Sequence, residues 1–160
     1  MDESSNIIFN DCKPLTDYDK EIINKQKKII INCNYEYINS LPNEVESICI
    51  MSHSNFNQPL TNLPFNLKKL IIYDITFNQN LDCLPNNLET LIIGCKNYNL
   101  PLDNLPQNLK SLIFLRFTKY SQHLLNLPKN IKKIDIYTFY PYKNELVLNY
   151  PNTIIKVLEW

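Results

Sequence analysis

Apolar residues recur along this chain at fixed distances from a Leu-Pro pair. Three residues after each proline stands an aliphatic side chain, three further on a second, and two further on a third. The triplets read Val45, Ile48, Ile50; Leu67, Leu70, Ile72; Leu88, Leu91, Ile93; Leu109, Leu112, Phe114; and Ile131, Ile134, Ile136. A last copy, Ile154, Val157, Glu159, ends on a polar residue, as expected where a core runs out. The pairs themselves lie at Leu41-Pro42, Leu63-Pro64, Leu84-Pro85, Leu105-Pro106, Leu127-Pro128 and, in substituted form, Tyr150-Pro151, in steps of 22, 21, 21, 22 and 23 residues. A fixed period of this size is the mark of a stacked solenoid. The second and third members of each triplet, with β-branched residues around them, predict a short strand whose alternate side chains enter a core. Equivalent strands at a fixed step stack as a parallel sheet, so the fold class is mainly β. Strands are predicted near residues 29–31, 47–50, 69–72, 90–93, 111–114, 133–136 and 156–159. Prolines such as Pro59 and Pro64 in the return segments disfavour a full α-helix there, leaving irregular, extended or 3₁₀ backbone.

Other columns follow the same period. An aromatic residue stands eight positions before the proline at Phe56, Phe77, Tyr98 and Tyr120, and nine before it at Tyr142. This recurrence predicts a stacked internal spine, with Leu60, Leu81, Leu102, Leu124 and Leu146 filling the same layers. Asn57, Asn78 and Asn99 follow the aromatic, and Asn66, Asn87, Asn108 and Asn130 lie two after the proline. Asparagine satisfies backbone groups at turns and tolerates left-handed backbone, so both columns are expected to serve turns. A unit of this kind cannot bury its apolar side alone, and its stability comes from its neighbours.

The ends are less regular. Residues 1–28 are read as an acidic cap, with a short helix near 17–28 predicted from the capping pattern Thr16-Asp17-Tyr18-Asp19 ahead of EIINKQKK. Residues 29–160 form the repeats. Ile22, Ile29 and Ile31 could alternatively be a degenerate first repeat. At the other end Val157-Leu158-Glu159-Trp160 closes the chain with a strand, and Trp160 is expected to fold over the last layer rather than leave an open edge.

Composition narrows the function classes. The 160 residues carry no net charge, so no global attraction to nucleic acid or anionic lipid is expected. Residues 1–21 hold a net −4 and the remainder +4. The start of the chain lacks a basic, apolar leader, and no apolar run approaches the ~20 residues of a membrane span. Five cysteines without a C-x-x-C pair fit reduced thiols, and a cytoplasmic location is expected. Gly94, the single glycine, cannot build a phosphate-cradling loop or dinucleotide fingerprint. His53 and His123 share no motif with a nucleophile, and Cys49 and His53 straddle a strand end without further ligands. No catalytic residue, cofactor or metal is therefore expected.

Phe56-Asn57-Gln58-Pro59-Leu60, followed by Leu63-Pro64 and Leu67-x-x-Leu70, resembles the FNIP repeat family, which is related to leucine-rich repeats. Phe77-Asn78-Gln79-Asn80-Leu81 matches nearly as well, and Tyr98-Asn99-Leu100-Pro101 keeps part of the signature, while the copies at Tyr120 and Tyr142 drift. The resemblance implies a leucine-rich-repeat-like solenoid of the kind found in amoebae and in the large DNA viruses that infect them, in viral members acting in the host cytoplasm. Some family members place an F-box before the repeats. Here only about 30 residues precede the first predicted strand, too few for that module.

In such a geometry the outward strand positions read Ile30, Cys49, Ile71, Ile92, Ile113 and Asp135, and the residues after the strands Met51, Tyr73, Gly94, Leu115 and Tyr137. Cys49, Met51, Ile71, Tyr73, Ile92, Ile113, Leu115 and Tyr137 are the candidate surface for an unidentified protein partner, of the host if the source is viral. Self-association through this face or the C-terminal strand is a variant of that reading. The opposing view is that flanking lysines cover the stripe. A second candidate is the basic segment containing Lys110, Arg116, Lys119, Lys129, Lys132, Lys133 and Lys143, interleaved with tyrosines, which would suit single-stranded nucleic acid or an acidic partner.

Overall fold

A computed structural model describes residues 6–10, 23–35 and 37–159. Among these residues eight strands run parallel in one sheet in chain order: β1 (Asn6–Phe9), β2 (Lys28–Ile31), β3 (Ser47–Ile50), β4 (Lys69–Ile72), β5 (Thr90–Ile93), β6 (Ser111–Phe114), β7 (Lys133–Tyr137) and β8 (Ile154–Leu158). Each turn of the chain adds one strand to the edge left by the last, which makes a mainly β solenoid. The register places like on like: Leu70 pairs with Leu91, Leu91 with Leu112, and Leu112 with Ile134. From β2 to β6 the second and fourth strand residues are buried and the third is half-buried. Period-two alternation thus puts one face on the core and the other on solvent.

The three-residue offset after the proline has a direct cause. The amides of Val45, Leu67, Leu88, Leu109 and Ile131 donate to the carbonyls of Pro42, Pro64, Pro85, Pro106 and Pro128, closing a tight turn that drops the aliphatic residue into the core. The preceding leucines Leu41, Leu63, Leu84, Leu105 and Leu127 are buried beside it.

The aromatic spine is continuous. Phe56 stacks on Phe77 with ring centroids 6.1 Å apart, Phe77 on Tyr98 at 6.1 Å, and Tyr98 on Tyr120 at 6.4 Å. The next ring is Tyr140, at 6.3 Å from Tyr120, and not the expected Tyr142. The connection after β7 is shorter than its counterparts. The Tyr140 amide donates to the Tyr137 carbonyl, so the chain turns inward two residues early. Tyr142 instead meets Tyr140 edge-on and lies flat on His123, with ring centroids 3.5 Å apart.

The asparagine columns also work differently from expectation. Among non-glycine residues described, only Asn55 has positive φ, at 51°, so neither column supplies left-handed turns. Their amides bridge successive layers. Asn57 Oδ1 accepts from the Asn78 amide at 2.9 Å, and Asn99 Oδ1 from the Ser121 amide at 2.8 Å. Asn87 Nδ2 donates to the Phe65 carbonyl at 3.1 Å, and Asn108 Nδ2 to the Asn86 carbonyl at 2.9 Å. Extended return segments leave backbone groups without ladder partners, and these side chains satisfy them from the next layer.

Both ends depart from the expected pattern. Residues 6–9, read as part of an acidic cap, form β1, with Phe9 paired to Ile31 and stacked on Tyr35 at 4.6 Å. The predicted helix near 17–28 falls mostly outside the described residues; Ile23 and Asn24 are helical, and β2 begins at Lys28. The last return is the helix α1 (Lys143–Asn149), which no proline interrupts and which buries Leu146. After it, β8 enters the sheet with Ile155 on Ile134 and Val157 on Ile136. Ile154, expected inside, is 70% exposed. The helix consumes the return by another path and shifts the register. Trp160 lies outside the described residues.

The change of spine residue is testable by urea unfolding. Tyr140→Ala is expected to cost about 3–5 kcal/mol, the range for removing a buried ring, whereas Tyr142→Ala, at a half-buried surface stack, should cost about 1 kcal/mol. Equal losses would show that the two rings share the core.

Candidate functional site: the solvent face of the sheet

The third residue of each strand points away from the core. In order these are Ile8, Ile30, Cys49, Ile71, Ile92, Ile113, Asp135 and Lys156, paired layer by layer. The first six form one apolar row, which at the ~4.8 Å spacing of neighbouring strands is about 24 Å long. Ile8 is 48% exposed and extends the row by one layer beyond the sequence-based reading. Its signal is present in the sequence, since Ile7-Ile8-Phe9 stands 22 residues before Ile29-Ile30-Ile31, but no Leu-Pro pair introduces it. At the other end the row stops at Asp135, which is held by Lys133 at 2.9 Å.

A second row follows the strands. Met51 is exposed, while Tyr73, Leu115 and Tyr137 are half-buried. Gly94 sits between Tyr73 and Leu115, and a Cβ there would meet Tyr73 Cδ2 at 2.5 Å and Leu115 Cδ1 at 2.9 Å. The only glycine in the chain therefore lets two large side chains close over the backbone. Cys49 Sγ lies 3.6 Å from Met51 Sδ, and burial raises its thiol pKa against the pull of Lys28 and Lys69. Cys95, behind the sheet, is buried against the Ile72 carbonyl and pushed by burial to about 12. Neither thiol is poised as a nucleophile.

Before β2 to β6 runs a column of alternating charge, Lys27, Glu46, Lys68, Glu89 and Lys110, and Lys132 stands before β7. Glu46 meets Lys27 at 3.3 Å and Lys68 at 2.9 Å, and Glu89 meets Lys110 at 2.7 Å. Hydrogen bonds from these lysines hold both carboxyls below their ordinary pKa. Lys68 and Lys110, two of the lysines that could have covered the apolar row, are drawn instead to the glutamates, and Lys133 to Asp135.

The basic segment does not assemble into one patch. Lys110, Lys132 and Lys133 lie at the starts of strands and Lys129 in the turn before β7, whereas Arg116 and Lys119 follow β6. Lys143 belongs to α1, with Nζ donating to the Thr138 carbonyl at 3.4 Å. Lys110, Lys132 and Lys133 are neighbours at the strand starts, while Arg116 and Lys119 share a separate site, described below. His53 is exposed. His123 Nδ1 lies 3.4 Å from Glu145 Oε2. Among the described residues, no group of three or more His, Cys, Asp or Glu side chains is placed to hold a metal ion, and no helix is long and apolar enough to cross a membrane.

One buried carboxylate, Asp74, holds the loop after β4. Ser54 Oγ donates to it at 2.7 Å, the Thr76 amide at 2.8 Å and Thr76 Oγ1 at 2.6 Å. Burial raises its pKa, but the hydrogen bonds from Thr76, Ser54 and the backbone outweigh this and leave it lowered.

A parallel sheet built one strand per turn, with one face on a continuous core, defines a leucine-rich-repeat-like solenoid. Comparison with known proteins agrees. The FNIP Repeat family model matches residues 56–96 and 77–117, the best-kept copies of the repeat. Among solved structures it is similar to CroV588, described as a circular leucine-rich-repeat protein, with a TM-score of 0.53 at 18% identity. The match covers 86% of this chain and 28% of that one, so the chain spans little more than a quarter of its neighbour's length. No curated protein matches significantly.

The lowered pKa of Asp74 predicts how stability depends on pH. A carboxyl with its folded pKa below its unfolded one stabilises the fold above the unfolded value, near 4, and loses that contribution as pH falls through the folded one. Stability measured by urea titration should therefore fall on acidification below about pH 4–5. In Asp74→Asn the neutral-pH stability should be lower and the acid slope shallower. An unchanged slope would remove Asp74 from the account.

Proposed function

We propose that this chain is a non-enzymatic scaffold that binds a protein partner through the solvent face of its sheet. Repeat solenoids of this class typically mediate protein interaction. The observation that carries the reading here is the unbroken apolar row from Ile8 to Ile113, left uncovered by Lys68 and Lys110, which are engaged by glutamates. An exposed apolar stripe bordered by polar residues is the usual signature of an interaction surface. The neighbouring Met51, Tyr73 and Leu115 add adaptable and aromatic contact area, residue types enriched at interface centres. A reducing compartment suits the four described cysteines, all free thiols.

The test uses the double variant Ile71→Lys/Ile92→Lys. Both side chains are half-buried on the solvent face, so the thermal transition should shift little, and proteins captured from an amoebal lysate by the wild-type chain should be lost. Phe65→Ser, at an exposed position in a return segment, should capture the same proteins as wild type. An identical captured set from the double variant and wild type would overturn the proposal.

A further inference from the structure

Where β6 meets β7, the regular stacking opens into a cavity of about 260 Å³. Its origin is a mismatch in chain length. From the last inward residue of the strand to the spine ring, the β6 layer runs from Phe114 to Tyr120, with five residues between, and the β7 layer from Ile136 to Tyr140, with three. The β4 and β5 layers have four each, from Ile72 to Phe77 and from Ile93 to Tyr98. A long connection lying on a short one leaves a gap beside the rings. Phe114 stacks on Tyr120 at 4.6 Å, Tyr120 on Tyr140 at 6.3 Å, and all three rings line the gap. Phe139, 72% exposed, stands at its edge.

The polar groups lining it divide sharply. Thr118 Oγ1 already donates to the Ile93 carbonyl at 2.9 Å, Ser121 Oγ accepts from Asn99 Nδ2 at 3.0 Å, and the Tyr140 hydroxyl donates to the Gln122 carbonyl at 3.0 Å. Arg116, Lys119 and the buried Tyr120 hydroxyl, which has no hydrogen-bond partner among the described residues, remain. Among the described residues no carboxylate lines the cavity and neither cation makes an ion pair. The Arg116 guanidinium lies over the Phe117 ring, 5.8 Å from its centroid. An aromatic-walled gap with two unneutralised cations complements a flat apolar body carrying negative charge.

We propose that this cavity is a binding site for a small planar aromatic anion, its ring system against Phe114, Tyr120 and Tyr140 and its anionic group between Arg116 and Lys119. The site is separate from the solvent-face residues Ile71 and Ile92. Two donors in fork and point-charge form favour a carboxylate, sulfonate or phosphate over a neutral polar group.

Calorimetric titration with naphthalene-1-sulfonate tests this, with the neutral 1-naphthalenemethanol as comparison. The wild-type chain should bind the sulfonate saturably at one site and the alcohol more weakly. Arg116→Gln/Lys119→Gln, at exposed positions that leave the core intact, should weaken the sulfonate by about tenfold or more, the loss of a charge-assisted contact, and leave the alcohol unchanged. Phe139→Ala should weaken both ligands. Ile71→Lys/Ile92→Lys should bind both as wild type does, which separates this site from the partner face. Absence of saturable sulfonate binding, or equal affinity in the charge-neutral variant, would overturn the proposal.

Discussion

The structure depends on layer-on-layer contact between equivalent side chains at the spacing of a parallel sheet. One repeat exposes its leucines and its ring to solvent on two sides; only a neighbour above and below buries them. Backbone pairing fixes that spacing, and the side chains exploit it: Leu70, Leu91, Leu112 and Ile134 form one column, and Phe56, Phe77, Tyr98 and Tyr120 another. The asparagine amides and the lysine–glutamate column repeat the same principle at the surface, each bond running to the next layer. Stability in such an array is a sum of unit and neighbour terms, so a weak layer weakens both of its neighbours.

Most of this was legible because the period is nearly constant. Once Leu-Pro sets the phase, inward and outward positions of β3 to β7 follow by counting, and the apolar row with them. What escaped was whatever depends on the path between strands. β1 lacks a Leu-Pro pair and sits among acids, so its Ile-Ile-Phe was hidden by its surroundings. Tyr140 replaced Tyr142 because a short connection turns inward early, and β8 shifted because a helix took up the return. The asparagines looked like turn residues because their partners, some 22 positions away, are invisible to local reading.

The basic segment divides between the two ends of the strands for a related reason. One coil carries successive residues around the whole circumference of the solenoid, so neighbours in sequence are sent to opposite ends of a strand. Lys110 and Arg116 are six apart in sequence yet lie before and after β6. The same geometry concentrates departures at one level. Between β6 and β7 the solvent-face row changes from isoleucine to aspartate, the spine residue changes offset, the charge column places Lys110 beside Lys132, and the aromatic-walled gap appears.

The alternation of lysine and glutamate has a bearing on how such a chain can grow. Because the sign reverses at every layer from Lys27 to Lys110, duplicating or deleting a single repeat within that stretch brings like charges into register. Duplicating two at once preserves the alternation. A chain that slips by one coil along this edge sets lysine against lysine and glutamate against glutamate, whereas a slip by two restores each pair.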